Sequence, residues 1–267
     1  MSDDVVLYEV REPGIALLTL NRPERLNAWN GELATRYFTL LDQAAADPEV
    51  KVIVVTGAGR GWCAGADMDT LQGIGNASGN AGAESAAGGA PQYRTTQIPK
   101  PVIAAVNGAC AGIGMVQALM CDMRFAAKGA KFTTAFARRG LIAEYGMSWV
   151  LPRLVGTARA LDLLYSGRVV LAEEALEMGM VNEVVEPEHL LDRTLEYAAE
   201  LATYSSPTSM AVMKRQVWGD WDRGVVAATD DAIELMKASL RRPDFKEGVA
   251  SFLQKRTPSF QPVNPDA

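Results

Sequence analysis

The chain holds one histidine, His189, and three cysteines, Cys63, Cys110 and Cys121, none of them in a CxxC pair. His189 stands at a polar helix start, where a surface cap is the expected role. With no other histidine, nucleophilic triads and histidine-metal sites are excluded. The cysteines form no secreted disulfide pattern and read as reduced thiols. Basic residues are outnumbered, 26 Lys and Arg against 32 Asp and Glu for a net charge of −6, which argues against nucleic acid as a partner. No apolar run reaches about eighteen residues, as a membrane span requires. The acidic start MSDDVVLYEV lacks a signal peptide's basic and apolar regions. A cytoplasmic enzyme without a membrane or nucleic-acid partner is the expectation. At 267 residues, with 48% hydrophobic and 22% charged residues, the chain suits one domain plus a modest extension.

What the chain does have is a repeated design. Val102 to Val106 is an apolar β-branched run that breaks at Asn107-Gly108, passes through small residues to Gly114 and resumes with Met115, Ala118 and Leu119 at helical spacing. This predicts strand, tight turn and buried helix. Upstream, Val52 to Thr56 leads into a glycine-rich bend at Gly57 to Gly61, then CAGAD at Cys63 to Asp67, with Asp67 near a helix start. Glycines let backbone N–H groups approach a ligand closely, and a helix start adds unpaired donors. Two such turns brought together would make an oxyanion hole for an enolate or a tetrahedral oxyanion. Trp62 stands where a dinucleotide fingerprint needs its third glycine, and neither turn ends in the Gly-Lys-Ser/Thr of a phosphate loop.

Around these units the spacing predicts an opening hairpin from Val5 to Val10 and Ile15 to Leu20. A helix from about Gly31 to Asp47 follows, capped by Asn30 or Asn27. Gly73 to Ala90 is nearly all small residues and reads as a loop, either a lid or a tolerated insertion. Two short strands, at Met123 to Ala127 and Lys131 to Ala135, lead to Phe136 to Gly156 and a helical C-terminal third. There Ser206-Pro207 opens a helix.

Three segments, NRPERLNAWN (Asn21 to Asn30), GWCAGADM (Gly61 to Met68) and KPVIAAVNGACAGIG (Lys100 to Gly114), resemble in order and spacing the signatures of the crotonase (enoyl-CoA hydratase/isomerase) superfamily. The resemblance runs from about Val6 to Phe260. It implies an α/β fold, a spiral of β-β-α repeats over residues 1–200, with a helical trimerisation region over 201–267. It also implies an acyl-CoA thioester substrate, no separate cofactor and no metal, and self-association to a trimer or a dimer of trimers. By the same resemblance Ala66 and Ile113 supply the oxyanion N–H groups, Ile113 standing where the family commonly has glycine. Arg25, Leu26 and Ala28 border the CoA, the Ala64 carbonyl meets its adenine, and Gly65, Asp67 and Met68 belong to the same binding segment. Phe252 and Lys255 match positions that reach a neighbouring subunit's CoA, and Leu71, Leu141 and Tyr145 flank the acyl pocket. Trp62 is either a further pocket residue or core packing.

The two glutamates with which the family's hydratases handle water fall at Val116 and Phe136, and neither residue can carry a proton. Glu144, in RGLIAEYG, is similar in position to the acid of the peroxisomal-type enoyl-CoA isomerases and of related phenylacetate-pathway isomerases. One carboxylate suffices for a 1,3-proton shift, and the apolar neighbours Leu141, Ile142, Ala143, Tyr145 and Met147 would raise its pKa. The expectation is therefore a 3-enoyl-CoA to 2-enoyl-CoA isomerase. A hydratase or lyase in which Glu144 activates water alone and a non-catalytic acyl-CoA-binding protein remain as alternatives.

Overall fold

The computed structural model describes residues 4–69 and 90–263. Leu71 and, apart from Ala90, the loop expected over Gly73 to Ala90 lie outside them. β1 (Val6–Arg11) and β2 (Ile15–Leu20) pair antiparallel, Val6 opposite Leu20 and Arg11 opposite Ile15. β2 then runs parallel to β3 (Val52–Gly57), which is flanked in turn by β5 (Val102–Val106), β7 (Met123–Ala127) and β10 (Glu183–Val185), so the sheet order is β1-β2-β3-β5-β7-β10. β3 and β5 are buried at every position, as their continuous apolar runs require in the middle of a covered parallel sheet.

A second sheet holds β4 (Gly61–Cys63), β6 (Ala109–Ala111), β8 (Lys131–Thr133) and β9 (Val170–Leu171), in that order. Each of β3, β5 and β7 turns a sharp corner into β4, β6 and β8, and after β6 a helix, Ile113–Met120, returns the chain to β7, a β-β-α step of the kind the family resemblance implied. The corners depend on glycine: a Cβ at Gly57 or at Gly108 would lie 2.2 Å from the carbonyl oxygen of Gly61 or Arg60. Asn107 ties two corners together, its Nδ2 donating to the carbonyls of Gly57 (2.8 Å) and Gly59 (2.9 Å). Strand-turn-helix was expected at both glycine units, but β4 and β6 intervene. Three-residue strands among small residues carry no alternation, and their partners are distant in sequence.

α1 (Gly31–Ala46) is capped by Asn30, whose Oδ1 accepts from the Leu33 N–H at 2.9 Å. Leu33, Tyr37, Leu40, Leu41 and Ala44 form its buried face. Its far end is closed by Lys100, buried, with Nζ donating to the carbonyls of Ala44 (2.7 Å) and Asp47 (2.6 Å). Burial drives the Lys100 pKa down to about 8 despite the charge of Asp47 nearby. α2 (Ile113–Met120) is buried at all eight positions. There follow α3 (Met147–Val155), α4 (Thr157–Ser166), α5 (Ala172–Glu177) and α6 (Leu190–Tyr204), then α7 (Pro207–Asp220), α8 (Val225–Ser239) and α9 (Pro243–Gln254). Ser206 caps α7, accepting from the Ser209 N–H. His189 precedes α6 but its side chain caps nothing. A 3₁₀ turn, Pro187–His189, already carries helical backbone there, whereas a capping side chain needs an extended residue. No helix among the described residues is long and apolar enough to cross a membrane.

Candidate active site

The two glycine turns meet. Gly65 has φ +104° and Gly112 φ +49°, values that side-chain-bearing residues rarely adopt. A Cβ at Gly112 would lie 3.9 Å from the Gly65 Cα, and one at Gly65 would lie 3.3 Å from the Ala111 carbonyl oxygen. Trp29 bridges to Ala66 as a one-residue parallel ladder: its N–H donates to Gly65 O at 2.7 Å and its carbonyl accepts from Asp67 N at 2.9 Å. That pairing uses the groups flanking Ala66 and leaves the Ala66 N–H on the other side of the chain. Ile113 is the first residue of α2, where N–H groups have no partner within the helix. Among the described residues, backbone hydrogen bonds outside regular helices and strands include none donated by Ala66 or Ile113. The Ile113 side chain finds its room in the core, 5% exposed.

These turns floor a cavity of about 330 Å³. Its wall brings together Arg25, Ala28, Ala64, Gly65, Ala66, Asp67, Met68, Ile113, Leu141, Glu144 and Tyr145, all among the candidate site residues named above. Leu26 is elsewhere, its side chain lying over Gly61. Phe252 and Lys255 lie at the end of α9, outside this cavity. Trp62 is core, 1% exposed, with Nε1 donating to the Gly114 carbonyl at 3.2 Å. Sequence reasoning missed Trp29, Thr134 and Arg139 in the wall. Of the two residues that the resemblance matched to the hydratase glutamates, Phe136 stands in the wall, while Val116 is fully buried outside it.

Two carboxyl groups line the cavity among the described residues, and their surroundings push them apart. Burial would raise the pKa of Asp67. It is outweighed by the Arg22 Nη2 hydrogen bond at 2.8 Å, the Asp69 N–H, and the charges of Arg22 and Arg25, so the carboxyl sits below its ordinary value. Held ionised, it is a poor base. Glu144 is half-buried, and burial alone raises its pKa. Among the described residues no hydrogen bond or ion pair is recorded for its carboxyl. Ile142, 79% exposed, gives it no shelter, because the chain turns outward there before Tyr145 (φ +51°) and Gly146 (φ +81°) steer it into α3. Tyr145 is itself raised, by burial and then by the Glu144 charge.

Arg22 and Asn27 position the wall without joining it. Arg22 Nη1 also donates to the Ala28 carbonyl at 2.6 Å. Asn27 does not cap α1. It is fully buried at φ +55°, a conformation asparagine tolerates better than most residues. Its Nδ2 donates to the carbonyls of Gly61 (2.8 Å) and Ala58 (3.0 Å), and its Oδ1 accepts from the Arg22 N–H (2.8 Å). Asn27→Ala would strand all three partners, at an expected cost of about 2–4 kcal/mol. A thermal melt should then show a fall on the order of 5–10 °C, and an unchanged midpoint would refute this role. Both residues lie in the NRPERLN signature, so their place in the sequence marked the segment but not what they hold.

Comparison with known proteins decides the family. The enoyl-CoA hydratase/isomerase family model matches residues 10–262. The chain belongs to that family. This enoyl-CoA hydratase/isomerase family enzyme is 38% identical to 1,2-epoxyphenylacetyl-CoA isomerase of Escherichia coli (strain K12), over 93% of this chain and 95% of that one. It is 36% identical to a probable enoyl-CoA hydratase, EchA12, of Mycobacterium tuberculosis (strain ATCC 25618 / H37Rv), over 96% and 92%. Among solved structures, an enoyl-CoA hydratase from Polaromonas sp. JS666 superposes with a TM-score of 0.89 at 31% identity, covering 96% of this chain and 99% of that chain. An enoyl-CoA hydratase, EchA12_1, from Mycobacterium marinum matches at 55% identity with a TM-score of 0.70, over 82% of this chain and all of that one. The β-β-α spiral is thus the crotonase fold, and an acyl-CoA substrate fits the family.

Proposed function

We propose that this enzyme converts a 3-enoyl-CoA to a 2-enoyl-CoA, with Glu144 as the proton shuttle. The thioester oxygen accepts hydrogen bonds from the N–H groups of Ala66 and Ile113. Glu144 removes a proton from C2, the electron pair moves into a dienolate whose charge those donors stabilise, and the same carboxyl returns the proton to C4. The observation that carries this reading is the pair of unequal carboxyls: Asp67 is fixed as an ion by Arg22, while Glu144 is raised by burial. Phe136 and Val116, at the hydratase positions, supply no acid. The isomerase name of the Escherichia coli relative supports it further.

The names of most relatives favour a second reading, hydration with Glu144 alone activating water. Separate incubations with 3-hexenoyl-CoA and 2-hexenoyl-CoA in deuterated water distinguish the two. Isomerisation turns the first into 2-hexenoyl-CoA unchanged in mass apart from deuterium, and hydration adds one water to the conjugated double bond of the second; absence of any product from either would sink both. In this proposal residues 201–267 mediate self-association to a trimer or dimer of trimers, with Phe252 and Lys255 reaching a neighbour's CoA. Support comes from α8, which buries none of its residues, and from Phe252, 83% exposed.

A further inference from the structure

Among the described residues, four charged ones stand in the cavity wall: Arg25, Asp67, Arg139 and Glu144. Three of them have a partner or a part in the reaction. Asp67 pairs with Arg22 at 2.8 Å, Arg25 lies 3.6 Å from Asp69, and Glu144 is the proposed base. Arg139 forms no ion pair among the described residues. Its one hydrogen bond runs from Nη1 to the Ala135 carbonyl at 3.2 Å. Ala135 is itself a wall residue, so the guanidinium as well as the backbone lies at the wall. The residue is exposed, and a guanidinium carries five N–H donors and a permanent charge, most of which one neutral carbonyl leaves unused. Nor does the cation act on the proposed base, whose pKa answers to burial alone. Around it the same segment supplies Phe136, Leu141 and Tyr145 to the wall, so the charge stands beside an apolar surface.

We propose that Arg139 is a specificity-determining residue that selects acyl groups carrying a carboxylate beyond the thioester over alkyl chains of the same length. A carboxylate accepts two parallel N–H bonds from a guanidinium. An alkyl chain in the same place takes water from the charge and returns no hydrogen bond. Selection therefore comes from attraction of one class and rejection of the other. This inference deepens the acyl-CoA reading of the cavity and rests on it, but not on which reaction occurs there.

Calorimetric titrations with free CoA and with two matched pairs, butyryl-CoA against succinyl-CoA and hexanoyl-CoA against adipoyl-CoA, test the proposal on wild type, Arg139→Gln and Arg139→Leu. In the wild type at least one carboxylated ligand should bind more tightly than its alkyl twin. Both substitutions should raise the Kd of that ligand about 10-fold, leave free CoA within about twofold, and leave the alkyl twin unchanged or tighter. Arg139→Lys, which keeps the charge but not the fork, should retain part of the preference. A wild type that binds both alkyl ligands at least as tightly as their carboxylated twins overturns the proposal. So does an equal loss for all five ligands, which would assign the guanidinium to the CoA phosphates. A lower melting temperature with every Kd unchanged would assign it to the turn at Ala135 and likewise overturn the proposal. If the wild type binds none of the ligands, the reading of the cavity falls, and this inference with it.

Discussion

Glu144→Gln is expected to lower kcat for a 3-enoyl-CoA by roughly 100- to 10,000-fold, the usual worth of a positioned acid-base group, while hexanoyl-CoA binding stays within about threefold. The amide keeps the shape of the carboxyl but cannot take a proton from C2. Stability supplies an independent check on sign. A carboxyl raised in the folded state holds its proton more tightly than in the unfolded chain, so its ionisation at neutral pH opposes folding. Glu144 is raised by burial, and its replacement should leave the melting temperature unchanged or slightly higher. Because the ionised form is the base, kcat/KM of the wild type should fall on the acid side through a pKa above the ordinary glutamate value, and that limb should vanish in the variant. Turnover near wild type would remove Glu144 from the mechanism.

How far the sequence reached differs from element to element. Val102 to Val106 was legible to the residue, because a parallel strand covered on both faces needs an unbroken apolar run, and so was Met123 to Ala127, although Arg124 interrupts its apolar residues. β4 and β6 were not, because what makes GWC and ACA strands is pairing with segments some fifty residues away. The two glycine turns proposed to hold the oxyanion could be found from glycine and from family resemblance. That they touch is a tertiary fact: Gly112 lies over Gly65 only because β6 pairs with β4. Glu144 could be named from its motif, whereas the inertness of Asp67 depends on Arg22, 45 residues earlier.

Gly114→Ala should damage catalysis and fold together, because Gly114 is where α2 presses on β4. A Cβ there would lie 2.4 Å from the Cys63 carbonyl oxygen, 2.7 Å from its Cβ and 2.8 Å from its Sγ, and two of those atoms belong to the carbonyl and Cβ of a fully buried strand that cannot swing aside. The Trp62 indole, donating to the Gly114 carbonyl, clamps the same junction. Relief requires α2 and β4 to separate, and each adjoins one donor of the proposed oxyanion pair: Ile113 precedes Gly114, and Ala66 follows Cys63 by three residues. Overpacking of this kind costs about 1–3 kcal/mol, and a displacement of about 1 Å at a catalytic group can cost on the order of 100-fold in rate. The expected outcome is a lower melting temperature and a kcat reduced about 10- to 100-fold. Gly219→Ala is the control, since it lies in the last turn of α7 with nothing within 4 Å of its added methyl; it should leave kcat alone and raise stability by less than the roughly 1 kcal/mol of a helix-interior site. If Gly114→Ala lost stability but kept its kcat, the spacing of the two turns would not set the donor geometry, and the oxyanion assignment to Ala66 and Ile113 would lose its structural basis.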